Sequence, residues 1–118
     1  MNKIVEKALL FDFYGELLTD HQKRVYGEYI QNDLSVTEMA ELMGISRQGA
    51  HDLIRRSEKI LNDYEARLHL VAHFQKVKKM VSDIRECAQT ISDSRDRDQI
   101  DEMSRHISEI SEKILEEY

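Results

Sequence analysis

Hydrophobic residues fall along this chain in two different rhythms. In the first half they spread over broad faces: Ile4, Ala8, Leu9, Phe11, Phe13, Leu17 and Leu18 share a wide apolar side at helical spacing, and Val25, Tyr26, Tyr29 and Ile30 recur at helical intervals after them. In the second half they narrow to seams. Leu70, Phe74, Val77, Val81, Ile84, Ala88 and Ile91 alternate steps of four and three, and Ile100, Met103, Ile107, Ile110 and Ile114 do the same. Between the seams, Ser92 to Asp98 ("SDSRDRD") has no apolar residue and reads as the connection of a helical hairpin.

Polar residues punctuate the first half in ways that predict boundaries. The first helix should end between Tyr14 and Leu18, and Thr19 is placed to cap the next. Asn32, Asp33 and Leu34 break the second pattern. Ser35 then stands three residues before Glu38, the spacing of a capping box, and starts a short helix to about Met43. Gly44 supplies the left-handed backbone a turn needs, and Ser46 caps the helix that follows. Val36, Met39, Ala40, Met43, Ile45, Ala50, Leu53 and Ile54 are expected to face inward, with Ala40 small where two helices cross closely. This is the pattern of a helix-turn-helix. The predicted organisation is a helix-turn-helix domain over residues 1–63 and a long-helix hairpin over residues 64–118.

Composition supports an all-α reading. The 118 residues include no proline, no tryptophan and only four glycines, while 41% are hydrophobic and 34% charged. Cys87 is the single cysteine, so no internal disulfide or thiol metal cluster is available, and a reducing, cytoplasmic setting is expected. No apolar run approaches membrane-spanning length. The first residues carry acids within their apolar stretch and no small-residue cleavage site, as expected of a mature protein from Met1.

Charge complicates the picture. The chain has a formal net charge of −6, yet Arg47 to Lys59 carries four bases against Asp52 and Glu58. Arg47, Gln48, His51, Arg55, Arg56 and Lys59 project from the second helix of the motif. A cation at a helix N-terminus opposes the macrodipole, and a contact with phosphate or a base edge would explain Arg47 there, with Gln48 beside it able to hydrogen-bond adenine. Gly49 lets the backbone approach a nucleic acid or the preceding helix. The plain alternative is a solvated face with ordinary side-chain pairs three or four residues apart, Arg55 with Lys59 or Glu58 with Arg55.

The segment from Phe13 to Leu61, through "YGELLT", "DLSVTEMAE" and "GISRQGAHD", resembles the YlxM family of small bacterial proteins, whose helix-turn-helix is similar to region 4 of sigma factors. That resemblance implies a regulatory DNA-binding protein linked to the signal recognition particle pathway, with Ser46, Arg47, Gln48, His51 and Arg55 as its recognition residues. The chain departs from the sigma pattern at Ala50, where a larger valine is usual.

Other chemistries lack their residues. There is no Gly-rich phosphate loop followed by lysine, so no nucleotide hydrolysis is expected. His69 and His73 are four apart but have no third ligand; they are expected to flank the long-helix seam, and no metal or cofactor is implied. Cys87 beside Ala88 reads as packing. The expectation is a non-enzyme: a homodimer that binds nucleic acid, DNA ahead of RNA, with Lys76, Lys78 and Lys79 as an extension of its basic surface. The alternative is an adaptor that docks on a signal recognition particle component and reads no DNA.

Overall fold

The computed structural model describes residues 3–118. Among them lie six α-helices and no strand: α1 (Lys3–Tyr14), α2 (Asp20–Gln31), α3 (Val36–Met43), α4 (Arg47–Leu68), α5 (Leu70–Asp93) and α6 (Arg97–Glu117), with a 3-10 turn over Gly15–Leu17 after α1. The fold is all-α, as the composition predicts. The chain forms two compact units, one ending at Val71 and one running from Ala72 to Tyr118.

In the first unit, α4 is the central rod, packed by α1, α2 and α3. Its buried face is Ala50, Ile54, Ser57 and Leu61, spaced three and four apart. Against it lie Leu10 and Tyr14 of α1, Leu18 just after the 3-10 turn, Val25 and Tyr26 of α2, Met39 of α3 and Val71 at the start of α5. The buried hydroxyl of Ser57 donates to the Leu53 carbonyl at 3.0 Å, so its burial leaves no orphaned donor.

Two expectations about this core need correction. The first helix was expected to bury Ile4, Phe13 and Leu17, but these are exposed, and Leu10 and Tyr14 take the core positions. α1 is apolar on nearly every side, so periodicity cannot choose its inner face; packing against α4 does. Likewise Ile45 was expected inside and is 40% exposed, because the turn after Gly44 carries it outward.

The end of α4 is fixed by a part-buried polar joint. The Tyr14 hydroxyl donates to Glu65 Oε1 at 2.6 Å. The amide of Leu70 donates to the Tyr14 hydroxyl oxygen at 3.1 Å, and that of Val71 to Glu65 Oε1 at 3.0 Å. Two of the unsatisfied amides that open any helix are thereby answered by side chains from α1 and α4. His69 makes the corner with a left-handed backbone, φ 56°, so it caps α4 instead of flanking a seam. Burial and the neighbouring Glu65 carboxylate raise the Tyr14 phenol above its ordinary value.

The second unit is an antiparallel helical hairpin, with the ring of His73 near the start of α5 lying 5.2 Å from that of Tyr118 at the end of α6. Asp96 caps α6 through the Asp98 amide at 3.0 Å. The α6 seam is as expected: Ile100, Met103, Ile107, Ile110 and Ile114 are each half-buried. The α5 seam is rotated by one residue from the expected one. Val77, Ile84 and Ile91 belong to it, but its remaining members are Met80 and Cys87, while the expected Leu70, Phe74, Val81 and Ala88 stand exposed.

Candidate nucleic-acid interface

The helix-turn-helix is held by its caps. Ser35 Oγ accepts from the Glu38 amide at 3.1 Å while Glu38 Oε1 accepts from the Ser35 amide at 3.3 Å, closing the capping box ahead of α3. Gly44 adopts φ 66°, a conformation a side chain would strain, and the Ile45 amide then returns to the Ala40 carbonyl at 3.0 Å. Ser46 Oγ accepts from the Gly49 amide at 3.0 Å and starts α4. A Cβ at Gly49 would stand 3.1 Å from that Oγ, so the glycine answers to the cap. Ser46 therefore has a structural duty whatever else it touches. Ala50 is 1% exposed, so α3 and α4 close fully on the smaller side chain.

The outer side of α4 carries the sequence-predicted residues. Gln48, His51, Arg55 and Lys59 recur at three- and four-residue steps opposite the buried face and form one exposed strip. Arg47 stands at its N-terminal end. Arg56 leaves the strip and lines a cleft of about 420 Å³ with Thr19, His21, Gln22 and Asp52. These six residues thus share one helix but not one face, and Ser46 caps it.

Charges on this strip are partly answered by acids one helical turn away. Gln48 Nε2 donates to Asp52 Oδ1 at 3.2 Å, the Arg55 guanidinium lies 3.9 Å from the same oxygen, and Lys59 Nζ donates to Asp63 Oδ2 at 3.0 Å. Exposed pairs of this kind contribute roughly 0–1 kcal/mol, so an incoming phosphate can displace them. The expected pairing of Glu58 with Arg55 is replaced by a bridge from Glu58 to Lys7 of α1 at 3.3 Å. That bridge draws one acid off the strip. Together with burial, the larger cause, Glu58 raises the phenol of the core residue Tyr26. Arg47, His51 and Arg56 form no ion pair among the described residues. Moreover α2, α3 and α6 each carry an acid in the first turn, where α4 has none.

A family comparison agrees with this architecture. Residues 1–104 match the family described as "Putative helix-turn-helix protein, YlxM / p13 like". The chain belongs to that family, UPF0122. It is 45% identical over 80 residues to a UPF0122 protein of Caldanaerobacter subterraneus subsp. tengcongensis, covering 68% of each chain. Similarity to a UPF0122 protein of Thermoanaerobacter sp. strain X514 is 39% over 109 residues, covering 92% of this chain and 91% of the other. A UPF0122 protein of Acetivibrio thermocellus is 37% identical over 116 residues, which is 98% of this chain and 99% of that one.

In this UPF0122 chain the pairings of Gln48 with Asp52 and of Lys59 with Asp63 were not anticipated from residue types, although both follow the ordinary four-residue step. The Lys7–Glu58 bridge, between residues far apart in sequence, had no local signal. Lys79 pairs with Asp83 at 3.6 Å in the hairpin, while Lys76 and Lys78 form no ion pair among the described residues. No group of three metal-ligating side chains occurs among the described residues, and none of their helices is long and apolar enough to cross a membrane.

Proposed function

We propose that this UPF0122 chain is a regulatory protein that lays the N-terminal half of α4 against duplex DNA. The observation that carries this reading is Arg47: a cation without an acidic partner, at the positive end of a helix whose first turn holds no acid. Phosphate at that end answers both the arginine and the helix dipole. Gln48, His51 and Arg55 then face the base edges, Ser46 holds the end of the helix in register, and Arg56 and Lys59 reach phosphates on either flank. The first unit is the reading head, and the hairpin joins two copies so that two α4 helices are presented together. The net charge of −6 suppresses non-specific association and keeps affinity modest and salt-dependent.

Fluorescence anisotropy against random duplex DNA, single-stranded DNA and signal recognition particle RNA across a salt series tests this. Affinity for duplex that falls steeply with salt, and is lost in Arg47→Ala/Gln48→Ala with helicity intact, is the expected result. The acidic balance of the whole chain and the Asp52 and Asp63 pairings favour a second reading, an adaptor for a signal recognition particle component. Flat anisotropy traces at low salt, with capture of that component by the same double variant, would replace the first reading with the second.

A further inference from the structure

A hairpin of two helices buries one side of each helix and leaves the other sides to water. In the second unit that geometry leaves apolar surface uncovered on α5 and α6. α6 has no fully buried residue, and every member of its seam is half-exposed. On α5, Met80 and Cys87 turn inward beside Val77, Ile84 and Ile91. The register one residue on is apolar as well, with Val81 51% exposed and Ala88 exposed. α5 thus carries two adjoining apolar stripes, of which the hairpin uses one.

The border of the second stripe has a sign. At about 100° per residue, Lys78 and Arg85 lie along the outer edge of Val81 and Ala88, and neither forms an ion pair among the described residues. α6 has the opposite character: Arg97–Glu117 carries seven acids against three bases. One molecule therefore holds both halves of a match, a base-edged apolar stripe and an acidic apolar helix. The two are of similar length, 24 and 21 residues.

Resting on the hairpin as the joining unit, we infer that a second copy of this chain covers the open face with α5 of one protomer along α6 of its partner, and not α5 along α5. A two-fold axis makes each contact twice, since residue i meeting residue j requires j to meet i. The four helices then alternate in charge around the bundle. Lys78 and Arg85 meet acids of the partner's α6, as flanking positions do in helical bundles. Pairing α5 on α5 would instead set Lys78 and Arg85 of one copy against the same two bases of the other. Helices of about 36 and 32 Å offer the roughly 800 Å² per partner that a stable interface buries.

Sedimentation equilibrium of the full chain, with circular dichroism to monitor folding, tests the arrangement. Wild type is expected to be dimeric at micromolar concentration. Val81→Glu, at a position already half in water, should keep its helicity and weaken the dimer by more than tenfold. Lys78→Glu/Arg85→Glu should weaken it similarly, and adding Asp101→Lys/Glu112→Lys to that chain should recover at least half of the loss. Monomeric wild type at high micromolar concentration would overturn both the joining role and this arrangement. A dimer indifferent to Val81→Glu would overturn the arrangement alone. So would indifference to reversal at Lys78 and Arg85, the behaviour of an α5-on-α5 contact, where both sides change sign together.

Discussion

Up to Val71 the helices enclose a contiguous cluster of buried apolar side chains, whereas from Ala72 to Tyr118 two long helices remove only Cys87 from solvent. Both halves are helical and both are rich in isoleucine, leucine and valine, so propensity does not separate them. Direction does. In the first unit three short or medium helices approach α4 from different sides, and side chains such as Tyr14, Tyr26 and Met39 end in a common interior. In the second, two antiparallel helices meet along one seam each, which limits burial to one stripe on each. A broad apolar face can be closed within one chain; a narrow seam on a hairpin cannot.

The sharpest way to break this contrast is to remove comparable apolar groups from each unit. Leu61 is 0% exposed under α1 and α2, and Leu61→Ala should destabilise the first unit by about 2–5 kcal/mol, the range for a leucine deleted from a closed core. Cys87→Ala, at the best-buried point of the hairpin, should cost about 1 kcal/mol. Urea denaturation followed by circular dichroism measures both. Equal losses would mean that the hairpin has a closed core of its own.

A smaller effect isolates the polar joint. Tyr14→Phe removes the donor to Glu65 and the acceptor for the Leu70 amide while keeping the ring, at an expected cost of about 1–3 kcal/mol. The same residue makes the first unit alkali-sensitive. Tyr14 and Tyr26 are both raised above the ordinary 10.0 because burial disfavours phenolate. The folded state holds them neutral while the unfolded chain releases their protons. Their contribution is therefore complete below the ordinary value and is lost as pH rises above it. Denaturation midpoints should fall between about pH 9 and 11, and Tyr26→Phe should flatten the fall. A wild-type curve level across that range would refute the linkage.

What the sequence made legible was local chemistry. Ser35 with Glu38, Gly44 and Ser46 each act within four residues of themselves, and all three devices are present as read. What it hid was choice among equivalents. α5 offers Val77, Ile84 and Ile91 with either Met80 and Cys87 or Val81 and Ala88, and both sets fit a three-four rhythm; only the position of α6 decides. α1 offers a hydrophobic residue in almost every direction, so Tyr14 was missed as a core member. Its partner Glu65 lies 51 residues away, beyond any local pattern. The candidate strip was readable because exposure follows from the amphipathic pattern of α4. Its electrostatics were less so, since Glu58 leaves the strip for Lys7, a contact set by packing.

The smallest effect separates binding from folding at the strip itself. Arg47 occupies the first turn of α4, where its charge opposes the helix dipole and no acid offsets it. Replacing it with alanine should raise the stability of the first unit by about 0.3–1 kcal/mol, since an unfavourable interaction is removed and alanine favours the helix. The same change should weaken duplex binding and make its salt dependence shallower by about one counterion. These responses have opposite signs, which a purely structural residue does not produce. If Arg47→Ala lowered stability, the arginine would be making a contact that holds the fold. If it raised stability and left duplex affinity unchanged, the N-terminal end of α4 would lie outside the DNA interface, and the reading strip would have to begin further along the helix at His51.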